Sequence, residues 1–295
     1  MQAQSFPSHA DILDMKDLML QGGKGNEGVL FEEALQSEAV RATVKTWKSN
    51  RSLIAFAYVD DYANLCFSIS PGFESTEVED EIIAWGVRCM QARNAQNHEA
   101  RTLDASCSAQ DDRRIQLFKR SGFLEGNQRS LDFSRSLIDP IPVYPLQGGF
   151  TIRPAAGEGE VGALVELHRA AFGTQEMTID QRLAIMRTSQ YAPELDLLVE
   201  EDRTKRLAAF CICEIEVRPS GIRIGHPDPI GTHPEFQGCG LASALLSAGL
   251  QTMREKGATR AESGTSSENR RMQNLFLKMG FTRTAEHLWF SKRVH

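Results

Sequence analysis

One stretch near the C-terminus constrains the fold more than any other: residues 230–246, with the sequence IGTHPEFQGCGLASALL. It begins as a strand, passes through a turn containing Gly238 and Gly240, and continues from Leu241 as an apolar helix. Glycines in such a turn allow successive N–H groups to point into one concavity. The helix, predicted to end near Lys256, has no acidic residue in its first three turns. Its open N–H groups and positive dipole end therefore favour an anion, most naturally a phosphate or pyrophosphate.

Length and charge limit the remaining possibilities. The chain of 295 residues suits two domains of roughly 150 residues each. A net charge of −6 gives no general reason to expect a nucleic acid or an acidic membrane surface as partner. No window approaches the ~18 uninterrupted apolar residues of a membrane span, and the first residues lack the basic region and apolar core of a signal peptide. We therefore expect a cytoplasmic protein with no nucleic-acid or membrane partner.

The cysteines give no indication of a metal centre. None of the six forms a C-x-x-C pair, and no histidine cluster has the spacing of metal ligands, so we expect no metal. Cys211 and Cys213 lie in an apolar run that is typical of a buried strand. Reduced, buried thiols are the expected state, which agrees with a cytoplasmic location.

The order of predicted elements indicates an α+β fold in two halves. In the first half the spacing predicts a helix over 32–47, paired strands at 52–59 and 63–70, and helices over 77–93 and 111–121. Three prolines within residues 139–145, followed by Gly148 and Gly149, cannot lie in a central strand or a helix interior. We therefore predict a linker, with domains at 1–147 and 148–295. In the second half the pattern predicts a strand at about 228–233, a helix over 241–256, a strand over 260–265 and a helix over 269–279.

The two halves also match each other without gaps over a long stretch. Aligning Pro71 with Pro234 pairs Gly86 with Gly249 and Met90 with Met253. This ordered series predicts a duplicated fold. The halves differ at the glycine turn, where the first half has carboxylates instead: Glu74, Glu77, Glu79, Asp80 and Glu81. Such charges stabilise a helix start but repel a pyrophosphate, so we expect the first half to lack the anion site.

The motif Gln237-x-x-Gly240-x-Ala242 resembles the acyl-CoA pyrophosphate loop of GCN5-related N-acetyltransferases (GNAT). A second segment, LFLKMGF at residues 275–281, resembles the Leu-Tyr-x-x-x-Gly-Phe signature of the same family. The resemblance covers residues 150–295 strongly and 50–135 weakly, through the repeat. It implies two tandem GNAT-like domains, each a mixed, mostly antiparallel sheet flanked by helices. It is similar to the arrangement in the mycothiol synthase type of double-domain acetyltransferase, in which the C-terminal copy is active.

The resemblance also implies a set of residues that bind acetyl-CoA. Backbone groups of Ile230, Gly231 and Thr232, at a splayed strand, would pair with the pantetheine arm. Six consecutive residues would hold the pyrophosphate through their N–H groups: Gln237, Gly238, Cys239, Gly240, Leu241 and Ala242. The Asn269 side chain would hydrogen-bond the pantetheine, and Phe276 would pack near the thioester. Arg270 and Arg271 could reach the 3′-phosphate, although a solvated helix face is the favoured alternative for both.

The catalytic residues are less well marked. Direct acyl transfer needs a base that takes a proton from the amine and an acid for the departing thiolate. His226 and Asp228 are the best candidates for the base, because in a regular strand both would face the same side as Ile230. The alternative is that residues 225–229, with two prolines, form an exposed turn. Glu214 and Glu216 on the preceding strand are weaker candidates.

The acid is a departure from the family pattern, because Phe276 stands where the family usually has Tyr and cannot donate a proton. We therefore expect an N-acyltransferase that moves an acetyl group to a primary amine of a small molecule or peptide in the C-terminal domain. The alternative is a regulatory protein that binds acyl-CoA without turnover. Monomer and homodimer are both compatible with the sequence.

Overall fold

The computed structural model describes residues 9–21, 27–50, 52–218 and 220–294. The chain divides into two compact units. Unit 1 contains residues 1–131, 266–268 and 285–295, and unit 2 contains residues 132–265 and 269–284. Both combine helices with mostly antiparallel strands, so the predicted fold class is confirmed. No helix in the described part of the chain is both long and apolar enough to cross a membrane.

Unit 1 begins with helices and continues as a strand–helix alternation. Its elements are α1 (His9–Gln21), α2 (Glu27–Ala34), α3 (Glu38–Arg41), β1 (Lys45–Ser49), β2 (Ser52–Val59), β3 (Leu65–Ile69), α4 (Thr76–Asn97), β4 (Leu103–Ser108), α5 (Asp112–Arg120) and β5 (Leu124–Ser136). Strands β1, β2 and β3 form an antiparallel sheet. Strand β4 pairs antiparallel with residues 287–292 of the last strand.

The predicted helix over 32–47 is wrong at its C-terminal end. Helix α3 ends at Arg41, and the chain re-enters as β1, where Trp47 lies opposite Ala55. Trp47 is buried in the main core of unit 1, together with Ala55 and Ala57. Burial of one large aromatic side chain against a strand outweighs the helical spacing of the preceding residues.

Unit 2 contains the second strand–helix alternation. Its elements are β6 (Phe150–Pro154), α6 (Val161–Phe172), α7 (Ile179–Met186), β7 (Asp196–Glu201), β8 (Leu207–Val217), β9 (Arg223–Thr232), α8 (Leu241–Glu255), β10 (Arg260–Ser266), α9 (Arg270–Lys278) and the start of β11 (Thr282–Lys292). The strands lie in the order β5-β10-β9-β8-β7-β6. Helix α8 packs on one face, where Gly249 lies against the thiols of Cys211 and Cys213. Helices α6 and α7 pack on the other face, against Phe210 and Ile212.

The two units share one order of elements. In each, three antiparallel strands precede a long helix, a strand, a helix of nine residues and a long strand. The nine-residue helices α5 and α9 are capped alike, by the side chains of Asp111 and Asn269. Residues 137–149 form neither helix nor strand, as the prolines predict.

Candidate active site

The candidate site lies in unit 2, where two neighbouring parallel strands separate. Strand β10 pairs with β9 at Ile224 and Gly225, and no further pair joins these two strands within the described residues. Between Gly225 and Thr232, no strand among the described residues pairs with the edge of β9 that faces β10. The other edge of β9 pairs with β8. An extended ligand can therefore add to β9 as a strand would.

The loop after β9 presents open N–H groups. Gly238 and Gly240 have φ of +85° and +73°, in the left-handed region that favours glycine, and Gly240 is the N-cap of α8. No side chain caps this helix, and its first turn contains no acid. Within the part of the chain that the structure describes, the N–H groups of residues 238–242 donate to no backbone or side-chain acceptor. Such groups at a helix start form a binding site for an anion.

A cation lies beside this loop. Arg271, on the first turn of α9, donates from Nη1 to Oε1 of Gln237 at 3.0 Å. The Gln237 side chain also donates from Nε2 to the carbonyl of Thr232 at 3.4 Å. Gln237 thus joins the end of β9 to α9 and holds the guanidinium at the anion site. Neighbouring Arg270 instead points to Gln273, with Nη1 3.4 Å from Oε1. Arg271 is exposed, as the favoured alternative of a solvated helix face expects, and a contact with the 3′-phosphate stays a prediction.

A β-bulge interrupts β9 in the middle of the site. Pro227 lies opposite Cys213 and Ile230 lies opposite Cys211, so Asp228 and Pro229 share the place opposite Ile212. The bulge reverses the alternation of side chains along the strand. As a result His226, opposite Glu214, faces away from the side that Ile230 faces.

Two expectations about this segment are therefore wrong. His226 and Ile230 do not share a face, because the extra residue in the bulge changes the register by one. Residues 225–229 are not an exposed turn either, because they lie inside β9 and four of them are at least partly buried.

Asp228 and His226 have different environments. The Asp228 side chain is exposed to solvent, yet desolvation by the surrounding protein raises its pKa to about 6, partly offset by the nearby His226. His226 is only 3% exposed, and its Nε2 lies 3.3 Å from Oε2 of Glu216. Arg218 donates from Nε to the same oxygen at 3.1 Å. Of the two predicted bases, Asp228 is the one open to a substrate, and His226 belongs to a buried polar cluster.

The remaining predicted residues have structural roles that the coordinates define. The Asn269 side chain caps α9 by accepting from the N–H of Met272 at 3.1 Å, and the residue is exposed. Phe276 is 1% exposed, with its ring 5.2 Å from those of both Phe133 and Phe281. It is a core residue of unit 2, and a contact with a thioester stays a prediction. Cys239 is a free, half-buried thiol in the glycine loop.

The corresponding helix start in unit 1 is closed to anions. Ser75 caps α4 by accepting from the N–H of Val78 at 3.3 Å, and Glu77 and Glu79 lie in the first turn. Glu79 is buried and held by ion pairs with arginines of α5. Although burial raises the pKa of Glu79, these hydrogen bonds lower it below its ordinary value. This helix start therefore carries its own negative charge.

Among the described residues, no group of His, Cys, Asp and Glu is arranged to hold a metal ion. The site presents an exposed carboxylate, that of Asp228, beside a splayed strand and an anion-binding loop.

These features define a GNAT-type protein, and the comparisons agree. Residues 162–281, which contain the glycine loop and the splayed strand, match the acetyltransferase (GNAT) family. Mycothiol acetyltransferases are among its relatives. That of Salinispora tropica is 29% identical over 158 residues, 52% of each chain. That of Beutenbergia cavernae is 30% identical over 148 residues, 48% of each chain. The chain spans about half the length of the curated relatives it matches.

Solved structures share the fold over most of the chain. A tandem GNAT protein from the clavulanic acid biosynthesis pathway has a TM-score of 0.68 at 16% identity, covering 96% of this chain and 94% of that one. A GCN5-related N-acetyltransferase from Sphaerobacter thermophilus has a TM-score of 0.66 at 19% identity, covering 83% and 78%. At these identities the likeness concerns the fold alone, and the fold is that of a tandem GNAT protein.

Proposed function

We propose that this protein is an acetyl-CoA-dependent N-acyltransferase, which moves an acetyl group to a primary amine at the site in unit 2. The observation that carries the proposal is the start of α8, where the N–H groups of residues 238–242 have no acceptor among the described residues and the first turn of the helix contains no acid. The loop lies at the end of the strand edge that a pantetheine arm would pair with. One acetyl-CoA molecule can therefore place its pyrophosphate on the loop and its thioester where β9 and β10 separate.

Several groups would hold the cosubstrate. The open edge of Ile230, Gly231 and Thr232 would pair with the pantetheine amides. Asn269 uses its Oδ1 in the helix cap, which leaves its exposed Nδ2 to donate to the pantetheine. The Arg271 guanidinium, beside the glycine loop, would add a positive charge near the phosphates.

The proposed reaction is a direct transfer. The amine nitrogen attacks the thioester carbonyl carbon, the C–S bond breaks, and the amine gives up a proton. Asp228 would accept that proton, because its carboxylate is exposed and its raised pKa of about 6 makes it a stronger base than an ordinary aspartate. The thiolate would leave without an acid from Phe276, which is tolerable because a thiol has a pKa near 8.5.

The proposal also covers the acceptor, the compartment and the domain organisation. The curated relatives are named mycothiol acetyltransferases, which favours a small molecule over a peptide as the acceptor. None of the six cysteines, all of which lie in the described part of the chain, forms a disulfide, which supports a cytoplasmic compartment. We further propose that the chain comprises two duplicated GNAT-like domains, at 1–147 and 148–295, with catalysis in the second.

Calorimetry with acetyl-CoA tests the binding site. We expect wild-type protein to bind and Gly240→Asp to lose binding, because the new carboxylate would lie at the helix start beside the pyrophosphate. Gly240→Asn is the matched control, since Asn has the same size, tolerates the left-handed backbone and carries no charge. Neither substitution causes a steric clash at its Cβ, because no atom lies within 4 Å of a Cβ added at this position. Equal affinities of the two variants, or no binding by the wild type, would refute the proposal.

One observation favours a second function. Phe276 is a buried core residue where the family pattern has Tyr, so the usual acid is missing. A regulatory protein that binds acyl-CoA without turnover would have the same loop and no need of an acid. Thiol release from acetyl-CoA, measured with polyamines, aminoglycosides and peptides, separates the two functions. Release with any amine supports the transferase, and tight binding without release supports the regulator.

A further inference from the structure

A buried cluster on strands β8 and β9 is not used by the binding of acetyl-CoA. Glu216 and His226 are each 3% exposed and are joined by the contact of 3.3 Å between Oε2 and Nε2. Arg218 donates to the same carboxylate oxygen. Glu214 lies opposite His226 in the strand register, and Asp228 follows two residues later. The cluster is thus adjacent to the carboxylate that faces solvent at the bulge.

The contacts define which ring nitrogen of His226 carries the proton. A carboxylate paired with a guanidinium is ionised and can only accept hydrogen bonds. The Nε2 of His226 must therefore be the donor, and in the neutral ring Nδ1 is then the basic atom. Carboxylates orient catalytic imidazoles in this way in several unrelated enzymes.

The second oxygen of Glu216 points to a functional role. Its Oε1 is buried and has no hydrogen-bond partner within the described part of the chain, whereas Oε2 is shared by two donors. A carboxylate kept for stability alone would be expected to have both oxygens satisfied. A buried oxygen without a partner needs an explanation, and a catalytic role is one that fits a carboxylate held against a histidine.

We propose that Glu216 is a positioning residue for the acetyl transfer: it holds His226 with the proton on Nε2, so that Nδ1 is the basic nitrogen next to Asp228 in the strand. In the reaction, the amine gives one proton to the Asp228 carboxylate, and Asp228 returns to its ionised form by passing that proton to Nδ1 of the neutral His226. The imidazolium that forms is stabilised by the carboxylate of Glu216. The kinetic part of this inference rests on the proposed function, whereas the tautomer of His226 does not.

The tautomer is measured directly by long-range ¹H–¹⁵N correlation spectra of the full-length protein. The signal of His226 is assigned by its loss in His226→Gln. We expect the Nε2–H form in the wild type and in Glu216→Gln, whose amide oxygen can still accept from Nε2. In Glu216→Met, which has no acceptor, we expect a mixture of both tautomers. A wild-type ring protonated on Nδ1, or a tautomer unchanged in Glu216→Met, would overturn the proposal.

Kinetics supply the second readout. We expect kcat/KM for the amine to fall about 10-fold in Glu216→Gln and about 100-fold in Glu216→Met, as for other residues that orient a catalytic group. The KM for acetyl-CoA should stay unchanged. Glu200→Gln is the matched control, because Glu200 is a strand glutamate of unit 2 whose partners are Arg153 and Lys205.

The two readouts also separate this inference from the proposed function. Absence of turnover by the wild type with every amine would refute the transferase. The spectra would still show whether Glu216 fixes the tautomer of His226. Turnover with full activity in a folded Glu216→Met would refute the inference and leave the transferase intact.

Discussion

At the scale of single residues, Asp228 is the most informative group of the candidate site. Its side chain is open to solvent, although the surrounding protein raises its pKa to about 6 by desolvation. Exposure allows it to meet an amine, and the raised pKa makes it a better proton acceptor near neutral pH than an ordinary aspartate. Asp228 lies in the bulge of β9, where it and Pro229 share the place opposite Ile212.

The first prediction concerns the pH dependence of the reaction. A carboxyl group acts as a base only when it is deprotonated, so kcat/KM should rise as the pH increases through about 6 and level off above it. Asp228→Asn should lose this dependence and reduce kcat/KM by about 10²–10⁴-fold, while acetyl-CoA still binds. Initial rates across pH 5–8 check the expectation, with each rate divided by the concentration of neutral amine at that pH. If kcat/KM of Asp228→Asn still rises as the pH increases through about 6, another group is the base.

Sequence motifs found part of this site and could not find the rest. The glycine turn and Asn269 follow from local backbone requirements, which neighbouring residues encode. The contact of Arg271 with Gln237 joins residues 34 positions apart and depends on how α9 packs. The orientation of His226 depends on one extra residue in a strand, and the alternation of apolar and polar residues does not show where a bulge lies.

At the scale of elements, helix α9 contacts the glycine loop through the side chain of Arg271, which donates to Gln237. We expect Arg271→Ala to weaken acetyl-CoA binding about 5-fold, or about 1 kcal/mol, as for an exposed charge pair. The loss should shrink at high salt. Arg270→Ala is the matched control on the same exposed turn, because Arg270 contacts Gln273 instead. Calorimetry at two ionic strengths measures both, and equal losses would contradict a specific role for Arg271.

Strand β9 comes unusually close to α6 at Gly231. A Cβ added there would lie 2.5 Å from the Phe210 ring and 2.9 Å from the Cβ of Ala171. Gly231→Ala should therefore destabilise the protein by about 1–3 kcal/mol, because the buried ring has no space into which to move. Gly162→Ala, in the helix α6 with open space around the new Cβ, should instead stabilise by about 0.5–1 kcal/mol. Urea unfolding followed by circular dichroism measures both, and a neutral Gly231→Ala would show that Phe210 can repack.

At the scale of the whole molecule, the chain contains two successions of strands and helices with the same order of elements. The two differ at the start of the long helix, which is α4 in unit 1 and α8 in unit 2. The order was predictable from the repeat, because matched glycines, methionines and phenylalanines recur at one spacing. The pairing of the last strand with a strand of unit 1 was not predictable from the sequence. Residues 285–295 belong to unit 1, and residues 287–292 among them pair with β4, although they follow unit 2 in the chain. Period-2 patterning predicts a strand but carries no information about its partner.

The difference between the two helix starts determines the expected stoichiometry. In unit 2 the start of α8 has no cap and no acid, whereas in unit 1 the start of α4 is capped by Ser75 and carries Glu77 and Glu79. The exposed Glu77 opposes an added anion by about 0.3–1 kcal/mol, and Glu79 adds a buried carboxylate that is paired with arginines of α5. We therefore expect one acetyl-CoA per chain in calorimetry. Gly240→Asp should remove the whole binding signal, because unit 1 provides no second site. A residual site in Gly240→Asp, or two sites in the wild type, would show that unit 1 binds acyl-CoA despite its carboxylates.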